Sequence, residues 1–332
     1  MARKTINQAL LDPEAYPHKP QNIELVQTQM SFVFLAGKYV YKIKKPVNLG
    51  YLDYTTLEKR HFFCYQELEL NRRLCPDAYL AVVPIVEEKG GLRIEGRGKA
   101  IEYAVKMNQL PRDRMMDVLL PRGQVTLEML ARVATKLAGF HKKAETSQKI
   151  AAFGKLDVVR QNTGENFAQT EKYIGTSITD EEYQHIKNYT NDFIYSNASL
   201  FDKRVREGKI RDCHGDLHAA HVCFTDDICI YDCIEFNDRF RYSDVASEIA
   251  FLAMDLDRYQ QAGLSRHLVN TYVRLSHDEA LLELLGFYKC YRAYVRGKVE
   301  SFKLDDPYIP EEEKTKVLTA AQSYFQLAKS YI

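Results

Sequence analysis

The sequence predicts an α+β chain in which a small, strand-rich lobe is followed by a larger, mainly helical one. Two observations carry this. Up to about residue 107, short apolar runs alternate with turn residues at strand period, around a single helix-like segment. KMNQLP, Lys106–Pro111, then breaks the pattern, and the longer stretches beyond it repeat at helical period. Neither an internal repeat nor a low-complexity linker interrupts either half, so the expected division is 1–107 and 108–332 with a short hinge between.

Taken in order, SFVFLAG and YVYKIKK flank a turn near Ala36–Lys38 and read as a hairpin. Thr55-x-x-Glu58 is a capping-box pattern, so a helix should start near residue 56 and end before Pro76. YLAVVPIVEE and IEYAVKM are two further strands, separated by the turn-rich KGG. Beyond the hinge, TLEMLARVATKLAGFHKKA, DEEYQHIKNYTNDFIYSNASLFDKRVREG, DVASEIAFLAMDLD and a long C-terminal stretch carry helical patterning. The strand signals in this half are HVCF and ICIYD, joined by a short TDD turn.

Bulk properties narrow the function classes. Across 332 residues, 45% apolar and 27% charged content is ordinary for a globular protein, and a formal charge of +1 gives no reason to expect nucleic acid or an anionic membrane. Nothing approaches the roughly 18 apolar residues of a bilayer span, and MARKTINQALLDPEAYPHKP lacks the apolar core of a secretion signal. The seven cysteines form no C-x-x-C pair and several lie in apolar runs, which suits reduced, buried thiols of a cytoplasmic protein. No feature calls for an obligate protein partner, and the expected ligand is a small molecule.

The chemistry is concentrated in CHGDLHAAHVCFTDDICIYDCIEF, residues 213–236. His214-x-Asp216-x-His218 has ligand types suited to zinc or iron, which makes a metal-dependent hydrolase one reading, although a third ligand must come from elsewhere and no H-E-x-x-H is present. Phosphoryl transfer is the other. It needs a carboxylate to orient the attacking hydroxyl, magnesium on the phosphates and a lysine to hold them. Asp216 has the place of the base, and a tight hairpin returns the chain to Asp232, a suitable magnesium ligand.

HGDLH followed by strand, turn, strand and aspartate resembles the aminoglycoside phosphotransferase/choline kinase-like group of protein-kinase-like enzymes. CHGDLHAAH, YDCIEFNDRFRYSDVASEIAFLAMDLD and VYKIKKPVNLGYLDYTTLEKR resemble one bacterial branch of undefined substrate, over about residues 20–305. The resemblance implies a bilobal kinase-like fold, ATP with Mg2+ or Mn2+ as cofactors, Asp216 as catalytic aspartate, Asp232 as metal ligand and His214 as the structural histidine opening the loop. His221 stands where the family carries a metal-binding asparagine. Imidazole is a poorer partner for hard magnesium than an amide oxygen, so His221 implies direct ligation, a contact through water or phosphate, or weakened catalysis. A catalytically weak nucleotide-binding pseudokinase is thus the alternative to an active enzyme.

The first lobe must supply the lysine and its glutamate. Lys42 and Lys44 share one face of YVYKIKK, and the resemblance makes Lys42 the phosphate lysine with Lys44 as fallback; a protected basic edge strand is the other explanation. Glu67 lies on the stripe of Phe63, Leu70 and Leu74 and is the expected partner, with Arg72 or Arg73 as competing cations for it. There is no glycine-rich phosphate loop; Thr28 and Ser31 in TQMS are the available cover, and GLRIEGRG fails as a Walker loop for want of its lysine. The hinge backbone around Met107 and Gln109 should receive adenine by kinase analogy. Acceptor contacts are expected from Glu235 and Arg239 in IEFNDRFRYSD and from Arg292 and Arg296, which with Lys289 make a basic stripe among tyrosines. A solvated helix face explains that stripe equally; if it faces the site, the acceptor is anionic.

Overall fold

The computed structural model describes residues 5–88, 90–306 and 309–332. It has the α+β architecture expected, divided into two compact units: Met1–Met115 with His221–Asp238, and Met116–Ala220 with Arg239–Ile332. The segment that follows CHGDLHAA therefore belongs with the sheet.

In the first unit, β1 (Ile23–Gln27), β2 (Ser31–Ala36), β3 (Tyr39–Lys44), β4 (Tyr79–Glu88), β5 (Gly91–Ile94) and β6 (Ala100–Asn108) form one antiparallel sheet of order β1-β2-β3-β6-β4-β5. The expected hairpin is β2–β3, with Val33 opposite Lys42 and Phe34 opposite Tyr41. Alternation then decides what each face does. Phe34, Tyr41, Ile43, Ile85 and Ala104 pack into one apolar cluster, which turns Lys42 and Lys44 to the opposite face. IELVQ and GLRI, β1 and β5, were not among the predicted strands; both are outer strands whose short runs give little periodic signal. The predicted KGG turn includes Lys89, which lies outside the described residues.

Helix α1 spans Leu57–Arg72, and its cap is Thr56, whose side chain accepts from the Lys59 amide, rather than Thr55. The predicted second hairpin is present as β8 (Val222–Phe224) and β9 (Ile228–Ile230), with Cys223 opposite Cys229. Reduced thiols were expected throughout, yet Cys75, just beyond α1, and Cys229 of β9 are disulfide-bonded across 154 positions; Cys64, Cys213, Cys223, Cys233 and Cys290 are buried thiols. Without a short Cys spacing, a pairing set by three-dimensional proximity leaves no trace in the sequence.

The second unit is mostly helical. Its longer helices are α2 (Leu127–Lys143), α3 (Leu156–Thr170), α4 (Asp180–Ser196), α5 (Ala198–Arg206), α6 (Val245–Arg258), α7 (Ala262–Ser276), α8 (Leu281–Phe302) and α9 (Glu311–Lys329). Phe167, Tyr183, Phe251, Met254, Tyr294 and Phe325 bring α3, α4, α6, α8 and α9 into one core. The α8–α9 contact requires Gly297, where a Cβ would fall 2.8 Å from the Phe325 ring. Asp244 caps α6 by accepting from the Ala246 amide. One strand pair was missed: β7 (Ile210–Asp212) runs antiparallel to β10 (Tyr242–Asp244), and each is only three residues long. Among the described residues, no helix is long and apolar enough to cross a membrane.

Candidate active site

The first unit gathers an ionic cluster on the face of β3 opposite its apolar cluster. Lys42 Nζ lies 2.8 Å from Glu67 Oε1 and 2.6 Å from Asp232 Oδ1. Lys44 Nζ lies 2.8 Å from Glu67 Oε2, contacts Glu235, and sits 3.4 Å from the Tyr54 hydroxyl. Tyr54 in turn donates to Glu235 Oε1 at 2.7 Å. Each Glu67 oxygen therefore faces one of the two lysines that strand alternation puts on one side. Sequence reasoning offered Lys44 only as a substitute for Lys42; in the structure both are used.

Exposure separates their tasks. Lys44 is 1% exposed and Glu67 fully buried, whereas the Lys42 side chain keeps 16% and Asp232 40%. Burial would depress both ammonium groups. For Lys42 the charges of Asp232 and then Glu67 outweigh it, for Lys44 those of Glu235 and then Glu67, and both stay above the usual lysine range. Burial likewise works against Glu67, and the two lysines overcome it and keep the carboxyl below its ordinary value. Lys42, Lys44 and Glu67 are thus held charged, and the cluster's solvent-facing end is at Lys42 and Asp232.

Asp232 is held in the left-handed region at φ +64°, unusual for a side-chain-bearing residue. The Tyr79 hydroxyl accepts its amide at 3.3 Å, and the next amide, of Cys233, donates to Asn71 Oδ1 at 2.9 Å. This pins the chain just where Asp232 turns its carboxylate toward Lys42. His221 Nε2 stands 3.5 Å from the other carboxylate oxygen, so both predicted metal residues share one corner of the unit. A carboxylate oxygen and an imidazole nitrogen at that spacing suit a divalent cation, with the nitrogen moderating the preference for magnesium.

Asp216 belongs to the second unit, on a loop fixed from behind. Glu248 of α6 accepts the amides of His214 and Gly215, each at 2.7 Å, and its other oxygen meets His141 Nε2 at 2.6 Å. His141 Nδ1 reaches the Tyr272 hydroxyl at 2.7 Å. Burial would raise the Glu248 carboxyl, but the His141 hydrogen bond and charge, with His214 and the Gly215 amide, pull it down to about 2. His214 is fully buried and its Nδ1 accepts the Asp216 amide at 3.3 Å, which makes it part of the loop's frame. The His218 ring stands 3.6 Å from Asp216 Oδ2. Glu248 was missed, although an acid inside the apolar run VASEIAFLAM was the available signal.

The other expected contacts are placed as follows. Thr28 Oγ1 accepts the amides of Met30 and Ser31, so that turn is closed by its own hydroxyl. Met107 lies within β6 opposite both Val40 and Tyr79, and the Gln109 amide donates to the Lys38 carbonyl at 2.9 Å; the hinge backbone expected to meet adenine is engaged in the sheet. Glu235 and Arg292, expected to touch an acceptor, are turned inward instead. Glu235 is held by Lys44 and Tyr54, while Arg292 donates to the Ser247 hydroxyl at 3.0 Å and to the Gly215 carbonyl at 3.2 Å, bracing the Asp216 loop. Arg296, one turn along α8, is half-buried and lies 3.5 Å from Glu300, and its guanidinium stays above its normal range because Tyr324 and then Asp216 outweigh the cost of burial. Arg239 forks onto Glu165 of α3.

No family model matches the chain. Uncharacterized proteins of Mycobacterium tuberculosis and Mycobacterium bovis are 32% identical over 279 residues, which is 84% of this chain and 54% of theirs. The chain thus spans about half the length of the curated relatives it matches. A choline/ethanolamine kinase family protein from Mesorhizobium loti superposes with a TM-score of 0.52 at 13% identity, covering 95% of this chain and 90% of that one. An aminoglycoside phosphotransferase from Alicyclobacillus acidocaldarius gives 0.50 at 10% identity, covering 100% and 95%.

Proposed function

Because the chain carries the aminoglycoside phosphotransferase/choline kinase-like fold, we propose that it transfers the terminal phosphoryl group of ATP to a hydroxyl of a small molecule. The observation that supports this most is the Lys42–Glu67 ion pair at 2.8 Å, with Asp232 on the same ammonium at 2.6 Å. Kinase chemistry is mostly positioning and charge neutralisation. A lysine made rigid by a buried carboxylate, beside an acid held in a strained conformation, is the apparatus for that.

Lys42 would hold the donor phosphates, with Glu67 and Lys44 keeping it in place. Asp216 would orient the acceptor hydroxyl and take its proton as the acceptor oxygen bonds to phosphorus and the bond to the β-phosphate oxygen breaks, releasing ADP. Asp232 and His221 would hold a divalent cation, which supplies charge neutralisation on the phosphate oxygens. His221 favours one second reading, a nucleotide-binding pseudokinase with weak chemistry and a regulatory role.

A thermal-shift titration with Mg·ATP and Mn·ATP tests the donor half. The wild type should be stabilised, and Lys42→Met should weaken nucleotide binding about 10- to 100-fold, the worth of roughly 1.5–3 kcal/mol for a hydrogen bond to a charged group. Equal shifts in both proteins would remove Lys42 from the phosphate role.

A further inference from the structure

Residues His221–Asp238 belong to the first unit, but the chain on either side of them belongs to the second. What attaches them to the sheet and to α1 must therefore be contacts across the fold rather than chain neighbours. The Cys75–Cys229 disulfide is one such attachment, and a covalent one, fastening β9 to the residues just beyond α1. The hydrogen bonds alongside it run to the same short stretch of chain. The Ile230 amide donates to the Leu74 carbonyl at 3.5 Å, the Asp232 amide to the Tyr79 hydroxyl at 3.3 Å and the Cys233 amide to Asn71 Oδ1 at 2.9 Å. Two of these three are longer than an ordinary N–H···O bond.

Asp232 depends on these ties. A side-chain-bearing residue stays at φ +64° only where its surroundings over-determine it. Cys229 precedes Asp232 by one short step of chain and Cys75 follows the helix of Glu67, so the bridge couples the two segments that bring carboxylates to Lys42. The Lys42–Asp232 ion pair cannot replace it, because in the reaction proposed above Lys42 faces phosphate and Asp232 faces a cation. The bridge also lies close to solvent. Cys75 and Cys229 are themselves buried, but Pro76, next to Cys75, is exposed, as are Asp226 and Asp227 in the turn just ahead of β9. Local opening of that turn uncovers the sulfurs without unfolding the sheet.

We propose that the Cys75–Cys229 disulfide is a redox-operated clamp on Asp232: oxidised, it holds β9 and the turn after it so that the Asp232 carboxylate stands ready for a divalent cation; reduced by a dithiol, it lets them go and cation binding weakens. One thiolate of the dithiol attacks a sulfur of the bridge, which breaks the S–S bond and forms a mixed disulfide. The second thiol of the reductant then displaces the protein sulfur. The reductant leaves as its own disulfide, and the two electrons and two protons it gave up remain on the protein as the Cys75 and Cys229 thiols. The clamp takes its purpose from the cation role given to Asp232 above, whereas its hold on the backbone is a separate claim with its own readout.

The full chain, oxidised or treated with dithiothreitol under native conditions, is compared by alkylation and peptide mapping, hydrogen exchange and Mn2+ titration. Reduction should expose Cys75 and Cys229 to alkylation with the circular dichroism unchanged. Amides of Asp232 and Cys233 should then exchange about ten-fold faster or more, while those of the β2–β3 hairpin keep their rates. The Mn2+ dissociation constant should rise about five-fold or more, the scale on which a strained backbone conformation is lost, and reoxidation should restore it. A Cys75→Ser/Cys229→Ser chain should sit at the reduced values whether or not dithiothreitol is present; if it does not fold, the reduction and reoxidation of the wild type decide alone. Unchanged exchange at Asp232 and Cys233 after both thiols are freed would overturn the clamp. So would a bridge that yields to dithiothreitol only when the chain unfolds, the absence of the bridge from oxidised protein, or a response that persists in the double serine variant. Oxidised wild type that binds no Mn2+ would instead strike the cation role of Asp232, and the exchange rates would still decide whether the bridge holds its backbone.

Discussion

Lys44→Met should cost about 3–5 kcal/mol of stability, the usual penalty for stranding the partners of a broken buried ion pair. Lys42, Lys44, Glu67, Asp232 and Glu235 together carry one net negative charge, and removing Lys44 makes it two. Glu67 retains Lys42 at 2.8 Å and Glu235 retains the Tyr54 hydroxyl at 2.7 Å, so the loss is not total. Yet Glu67 is fully buried and the Lys44 site 1% exposed, so water cannot take the lysine's place. Lys42→Met offers the contrast. Its partner Asp232 is 40% exposed and rehydrates, and its other partner, the buried Glu67, keeps Lys44 at 2.8 Å, so about 1–2 kcal/mol is expected. Since the chain has no Trp, urea unfolding followed by circular dichroism is the assay. The Lys44→Met deficit should shrink on acidification. Without Lys44 the Glu67 carboxyl sits higher than in the wild type, where the two lysines hold it low, so it protonates first in the variant and the stranded charge is neutralised there before the wild type loses its own ion pairs. A Lys44→Met protein within about 1 kcal/mol of wild type, or less affected than Lys42→Met, would refute the reasoning.

Glu248→Gln removes a carboxyl held at about 2 against an ordinary 4.5, worth roughly 3 kcal/mol that is present above pH 4.5 and lost as pH falls toward 2. Acid titration by circular dichroism should show a variant weaker at pH 7 and flatter between pH 5 and 2. Its nucleotide-binding shift should persist while phosphate transfer drops about 100-fold, the scale of a 1 Å misplacement of a catalytic group. His221→Asn, which replaces a nitrogen donor with an amide oxygen, should raise the Mg2+-supported rate relative to the Mn2+-supported one. An unchanged metal ratio in steady-state assays would take His221 out of the metal site.

What the sequence disclosed followed from periodicity and from charge in apolar settings. Strand alternation placed Lys42 and Lys44 on one face, and the stripe of Phe63, Leu70 and Leu74 placed Glu67 beneath them. The hairpin leading to Asp232 was legible because two β-rich runs flank a short polar turn. What stayed hidden depends on partners distant in the chain. A three-residue strand such as β7 carries no period, and its pairing with β10 spans about thirty positions. Glu235 and Arg292 read as acceptor contacts because sequence does not show that Lys44, Tyr54 and the Gly215 carbonyl are waiting for them.

The most direct measurement is transfer of labelled γ-phosphate from ATP, with Mg2+ or Mn2+, by wild type and Asp216→Ala. Label should reach a hydroxylated small molecule in the wild type. The rate should fall about 10²- to 10⁴-fold in the variant, the usual contribution of a positioned base, while the nucleotide-dependent thermal shift survives. Transfer at an equal rate in both proteins would contradict the assignment of Asp216, and no transfer by the wild type to any acceptor would leave a nucleotide-binding protein in place of an enzyme.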